Sequence, residues 1–255
     1  MTNESRNPNP NPNPNPNPNL DESLTVAPTF SLMNVKLYAS PLACSGAAHL
    51  VLLELGLPHS IEFVDIYAQP HVLIESGAVY KELNPKDAVP ALELGSGQLF
   101  SEVGVILQLL CDRGPESSLL PRIGTLERYR VMEWLSYVGS DLHKTIGPLF
   151  NPAMPEAAKA LHRQKLQRTM SYIEERLATT PYLTGADFTV ADAYLFVMIG
   201  WSPYFKVDLR PYPQLTRFHT RISARPSFLR MKQIIEPVLG RLKLPAFPVA
   251  YGPLA

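Results

Sequence analysis

The sequence predicts an α+β domain followed by an all-α helical domain. Three observations carry this. Short extended runs alternate with helical ones in the order β-α-β-α-β-β-α up to about residue 113. After the break at Gly114-Pro115 no further stretch has the period-2 alternation of a strand. From about residue 125 onward, apolar residues recur at helical spacing almost to the C-terminus.

The first strand is Val35–Tyr38, with Val35 and Leu37 on one face, followed by a turn through Ser40-Pro41. A helix over 44–55 follows, with Leu50, Val51 and Leu53 on a broad apolar face, and it stops at Gly56-Leu57-Pro58. The second strand covers 61–66, and the weakly patterned segment 70–83 holds at most a short helix. Asn84-Pro85-Lys86-Asp87 turns the chain into Val89–Leu94, and Gly95-Ser96-Gly97 makes a hairpin with Gln98–Phe100. A helix starting at Ser101-Glu102 then carries Val105, Ile106, Leu109 and Leu110 at core spacing. In the second domain, helices are expected over 125–152 and 156–178, the first with Tyr129, Met132, Leu135 and Leu142, the second with Leu161, Leu166, Met170, Ile173 and Leu177. Thr189-Val190-Ala191-Asp192 is a capping-box variant with Phe188 as staple. It opens a helix over 190–202 that is apolar nearly all round and so must be surrounded by others. Helices over 212–224 and 227–238 close the domain.

Before this folded part, residues 7–19 are a strict Asn-Pro alternation. Each Pro removes a donor and disfavours helix in the residue before it, so 1–32 is expected as a disordered tail. The organisation expected is therefore 33–114 as the first domain, 115–124 as linker, 125–239 as the helical domain and 240–255 as a proline-bearing C-terminal tail.

Composition narrows the function. The 255 residues carry 23 basic and 23 acidic side chains, a formal net charge of zero, so nothing calls for nucleic acid or an anionic membrane surface. Two cysteines, Cys44 and Cys111, make no disulfide framework. No apolar run is long enough to span a bilayer, and no secretory signal layout is present. A cytoplasmic protein without membrane or nucleic-acid partners is expected, and no metal. Cys44 stands at the mouth of the first helix, where free N–H groups and the helix dipole favour a thiolate. A free cysteine is equally at home as a small buried hydrophobe, and position alone leaves both readings open.

Further patterns resolve the matter by resemblance. The segments KLYASPLACS at 36–45, Glu133-Trp134-Leu135-Ser136-Tyr137 with Asp141-Leu142-His143-Lys144, and Phe188-Thr189-Val190-Ala191-Asp192-Ala193-Tyr194-Leu195-Phe196 resemble, in order and separation, motifs of the cytosolic glutathione transferases. Within them the chain is most similar to the beta class of bacteria and to related fungal enzymes. The resemblance covers about residues 34–235. It implies a thioredoxin-like first domain and a homodimer, with glutathione as cosubstrate.

The resemblance also implies site residues. Val89-Pro90 would be the cis-proline pair whose backbone meets the cysteinyl part of glutathione. Glu102 and Val103, at the start of a helix, would take the γ-glutamyl end. Cys44 would hydrogen-bond the glutathione sulfur or form a mixed disulfide with it, and His143 would reach the sulfur from the second domain. Three departures stand out: Gln69 where the class usually has a lysine for the glycyl carboxylate, Ser136 in place of an asparagine, and Val103 in place of a small residue. The electrophile would be lined by Tyr38, Pro41, Leu42, His143, Lys144, Trp201 and Tyr204, an apolar set suited to a small hydrophobic molecule. The reading is a glutathione S-transferase conjugating glutathione to a hydrophobic electrophile, in detoxification or in a biosynthetic step. Two alternatives stay open: monothiol disulfide exchange or peroxidase chemistry through Cys44, since Ala47 stands where a CxxC partner would be, and a non-catalytic ligand- or partner-binding role.

Overall fold

The computed structural model describes residues 35–115, 117–205 and 208–245. The Asn-Pro tail and residues 246–255 of the expected C-terminal tail lie outside the described residues, and the first two residues of that tail, 240–241, belong to the last helix. A five-stranded mixed sheet has the order β3-β2-β1-β4-β5. β1 (Val35–Ala39) pairs parallel with β2 (His59–Asp65), Leu37 opposite Ile61. On its other side β1 pairs antiparallel with β4 (Ala91–Glu93), which pairs antiparallel with β5 (Leu99–Ser101) across the Gly95-Ser96-Gly97 turn. β3 (Val72–Leu73) pairs antiparallel with β2. It falls in the segment expected to hold at most a short helix, because two residues are too few to show a period. α2 (Tyr80–Leu83) completes that segment.

The helix α1 (Gly46–Glu54) links β1 to β2 and organises the molecule. Ala47, Ala48, Leu50, Val51 and Leu52 are all buried, because α1 packs on α3 (Val103–Arg113) and also on α7 (Val190–Ile199) and α9 (Pro226–Arg241) of the helical domain. A helix covered on every side needs no polar face. Glu54 at its end receives two bonds from Arg225, at 2.7 and 2.8 Å, and one from Ser227. Burial pushes the Glu54 carboxyl up, but these donors hold it below its ordinary value. A second tie between the domains runs from Trp201 Nε1 to Leu42 O at 2.6 Å.

The helical domain departs from expectation in one place that matters. The continuous helix expected over 125–152 is α4 (Leu126–Tyr137), then a π-helical turn (Val138–His143), then α5 (Lys144–Ile146) and a 3-10 turn (Gly147–Phe150). Widened turns of this kind re-aim the side chains they carry. α6 (Glu156–Leu177), α8 (Pro213–Ser223) and α9 follow, α9 continuing past Pro237 to Arg241. Val105, Tyr129 and Leu161, expected at core spacing, are exposed at 47%, 57% and 68%, on the outward faces of their helices. Cys111 is half-buried against the core, with its thiol pushed up to about 12 by burial. At the start of α7, Asp192 is fully buried and accepts from Thr189 N at 2.9 Å, Thr189 Oγ1 at 2.7 Å and Leu183 N at 2.8 Å.

One buried group works against the fold. His49, on α1, is 1% exposed, and neither ring nitrogen has a hydrogen-bond partner among the described residues. Burial, with His59 nearby, pushes it down to about 3, and burial pushes His219 down to about 4. Both are neutral in the folded state, whereas the unfolded chain takes up protons below about pH 6.5. Folded values below unfolded ones mean that stability is complete above pH 6.5 and falls as the pH drops toward 4. His49→Leu is expected to raise the unfolding free energy by about 1–2 kcal/mol at pH 7, by removing an unpaired polar ring. Urea unfolding of both proteins between pH 7 and pH 5 checks this, and the variant is expected to lose stability with acid less steeply, by about one proton.

Candidate functional site

The site forms where the first turn of the thioredoxin-like domain meets the helical domain. The turn between β1 and α1 is stapled by Ser45: its Oγ accepts from Ser40 N and donates to Ser40 O, both at 3.1 Å. Leu42 takes a left-handed φ of 61° inside it, a strained conformation for a branched apolar residue. This places Cys44 just ahead of the helix, where its Sγ donates to Val89 O at 3.2 Å. Backbone N–H groups of Cys44 and Ser45 pull the thiol down, but burial prevails and pushes it up to about 12. The thiolate that a helix end favours is therefore not the resting form; Cys44 keeps its proton at neutral pH and is a donor.

Val89-Pro90 is cis, as the resemblance implies, and Gln69-Pro70 is cis as well. The loop before Val89 is fixed by Asn84 Nδ2 and Tyr80 OH, both donating to Ala88 O, at 2.7 and 3.1 Å. At the start of α3, Glu102 adopts φ 74°, another strained backbone for a non-glycine residue. Its carboxylate pairs with Lys86 Nζ at 2.8 Å, and that bond first of all holds it below its ordinary value.

From the helical domain, the π turn brings His143 to the same place. Its Nδ1 lies 2.6 Å from Tyr194 OH, and its ring meets Trp201 edge-on at 5.2 Å. Burial, then the neighbouring Lys144, push His143 down to about 4, and burial pushes the Tyr194 phenol up. A neutral imidazole and a neutral phenol share one hydrogen bond. With the phenol as donor, the ring proton sits on Nε2.

Two cavities share this junction. The first, of about 460 Å³, is lined by Cys44, Lys86, Val89, Pro90, Glu102, Val103, Ser136, His143, Lys144 and Tyr194 among others. The second, of about 580 Å³ and largely apolar, is lined by Leu42, Cys44, Tyr67, His71, Asp87, Val89, Phe150, Trp201, Tyr204 and Leu244 among others. Cys44, Val89 and His143 border both.

Most of the residues singled out in the sequence gather at these two cavities, and four do not fall where they were expected; one of these, Pro41, is buried and borders neither cavity. Tyr38 is buried in the sheet, its hydroxyl donating to Glu93 at 2.7 Å, because β1 turns it to the face opposite Leu37, toward Tyr80. Lys144 lines the first cavity with Glu102, not the apolar one. Gln69 is exposed and borders neither cavity. The sequence reading passed over Lys86, His71, Asp87 and Tyr194. Lys86 and Asp87 had a usable signal, the turn immediately before Val89-Pro90, and Tyr194 lay inside a quoted motif. His71 had none.

Comparison with known proteins agrees with this architecture. Residues 43–113 match the model of the glutathione S-transferase N-terminal domain, and residues 138–226 that of the C-terminal domain. The chain is 37% identical over 192 residues to glutathione S-transferase GstA of Escherichia coli O157:H7, covering 75% of this chain and 94% of that one. It is 37% identical to the beta-class glutathione S-transferase of Sphingomonas chungbukensis, with a TM-score of 0.74 over 79% of this chain and 98% of that one. It is also 37% identical to a sphingomonad glutathione S-transferase solved with glutathione, with a TM-score of 0.72 over 76% and 96% of the two chains. A thioredoxin-like domain and a helical domain, matched in series and across nearly the whole of these relatives, place the chain in the glutathione S-transferase family.

Proposed function

We propose that the protein conjugates glutathione to a hydrophobic electrophile, with glutathione in the polar cavity and the electrophile in the apolar one. The observation that carries this is the shared border. Cys44, Val89 and His143 stand where the two cavities meet, which is where a sulfur nucleophile and its target would have to meet.

In this reading Glu102, with the N–H of Val103 at the start of α3, holds the γ-glutamyl ammonium and carboxylate, beside Ser136. The backbone of Val89, next to Pro90, pairs with the cysteinyl residue as a strand would. Lys86 and Lys144 supply positive charge to the cavity, a role expected of the position that Gln69 occupies. The glutathione thiol gives its proton to solvent, and the thiolate is held by donors. Tyr194 donates to Nδ1 of His143, so Nε2–H points its proton at the sulfur, and the Cys44 S–H gives a second, weaker bond. A buried imidazole this hard to protonate is a poor base and a good neutral donor. Cys44 as a thiol near 12 is also a poor nucleophile for disulfide exchange, which favours conjugation over the monothiol reading.

A homodimer is part of the proposal, supported by exposed Val105 on α3 and Tyr129 on α4. A cytoplasmic setting is supported by the two free cysteines; among the described residues no helix is long and apolar enough to cross a membrane. Titration calorimetry with glutathione tests the placement. Glu102→Gln is expected to weaken binding about tenfold, by removing the charge partner of an ammonium. Unchanged affinity would contradict the placement of the γ-glutamyl end.

A further inference from the structure

The apolar cavity has an uncovered aromatic rim. Tyr67, Phe150 and Tyr204 all border it and are 55%, 50% and 36% exposed, which groups apolar ring surface in water at one mouth. The segment after α9 leaves the described structure on this rim. Leu244 and Pro245, the last two described residues, line the apolar cavity, and neither borders the polar one. The exit is fixed in direction. Leu244 N donates to Leu239 O at 2.9 Å and Lys243 N to Gly240 O at 3.2 Å, with Lys243 at a left-handed φ of 54°, a Schellman cap on α9. Arg241, in the last turn, reaches Glu75 at 2.6 Å and Ile74 O at 3.0 Å, which ties the helix end to the loop beyond β3.

We propose that residues 246–255, AFPVAYGPLA, dock across this rim and close the apolar cavity. Composition and placement together carry the argument. None of the ten residues is charged, and Phe247, Val249, Tyr251 and Leu254 bring large apolar or aromatic side chains. A segment that stays in water is rich in charge and poor in such residues; this one gains by covering apolar surface, and the exposed rings stand at its point of exit. Pro248 and Pro253 fix φ and remove two N–H donors, so the segment can lie extended on an apolar surface with fewer donors left unpaired. Reach is sufficient: ten extended residues span up to about 33 Å, against a cavity of about 580 Å³, about 10 Å across if round. The segment lies beyond residues 138–226, which match the family's C-terminal domain, so it is no part of that shared domain. Docking completes the wall around an electrophile and keeps water from it, while the glutathione side stays open; this role, unlike the docking itself, rests on the conjugation reading above.

Two readouts on the full chain test the proposal. In the first, p-benzoylphenylalanine replaces Phe247, the protein is irradiated, and the product is mapped by mass spectrometry. The expected result is a cross-link within one chain to the peptides that carry Tyr67, Phe150 or Tyr204. With Val249→Ser, Tyr251→Ser and Leu254→Ser added, its yield is expected to fall at least tenfold. A cross-link elsewhere in the chain, a cross-link only between chains, no cross-link, or a yield that the serines leave unchanged overturns the docking. In the second, steady-state kinetics with glutathione and benzyl chloride compare the wild type with a variant carrying Phe247→Ser and the same three serines. KM for benzyl chloride is expected to rise at least fivefold, with KM for glutathione within twofold of wild type. An unchanged KM for benzyl chloride, or equal rises in both, overturns the closing role. A wild type that turns over no electrophile overturns the conjugation reading and this role with it, whereas the cross-link reads the docking without turnover.

Discussion

His143→Ala is expected to lower kcat/KM for glutathione conjugation by about 100-fold, or about 2.7 kcal/mol, with the fold intact. The size follows from what the side chain offers. It is a neutral donor in a half-buried site, aimed by a 2.6 Å bond to Tyr194, and the charge it would meet is the thiolate that attacks. Removing one such preorganised donor typically costs two to three orders of magnitude. Cys44→Ala is expected to cost much less, about fivefold, because a thiol is a weak donor and the His143 donor remains. A mechanism through a Cys44 thiolate predicts the reverse order, with Cys44→Ala nearly inactive. Steady-state rates on one electrophile for both variants separate the two.

Asp192→Ala is expected to lower the unfolding free energy by about 3–5 kcal/mol. Its carboxylate accepts three bonds, from Thr189 N, Thr189 Oγ1 and Leu183 N, in a region where all three residues are buried. Alanine leaves those donors without acceptors and opens a small void at the start of α7. Because α7 packs on α1, the loss reaches the junction on which the site is built. At roughly 2–4 °C per kcal/mol for a chain of this size, thermal unfolding should begin about 10 °C earlier. Asp192→Asn keeps one acceptor oxygen and should lose less. Melting followed by circular dichroism checks both.

How far the sequence carried depends on the scale of the feature. The thioredoxin-like order and the all-helical second half were legible because whole segments carry a period, and α7 because a helix apolar all round can only be interior. The capping residues Thr189 and Asp192 were legible because their chemistry is local. Two residues of β3 were too short to carry a pattern. The π turn was invisible because its sequence, Val138–His143, is compatible with an ordinary helix; the widening shows only in the backbone. Tyr38 was misplaced because nearness to Leu42 in the chain suggested nearness in the cleft, whereas a strand sends successive side chains to opposite faces. Lys144 was misplaced for a related reason: following His143 in sequence, it was assigned the same cavity, and the helix turns it to the other. The state of Cys44 could not be read at all from position. The helix end favours a thiolate, burial opposes it, and only the packed structure shows that burial prevails.

The central claim is that the donors at the junction of the two cavities hold glutathione as a thiolate. Ultraviolet difference titration of bound glutathione, following thiolate absorbance against pH, tests it most directly. The account predicts that the bound thiol of the wild type ionises well below the ordinary thiol value of about 8.5, and that His143→Ala returns it toward that value. A bound thiol that ionises at the same pH in wild type and His143→Ala would contradict it.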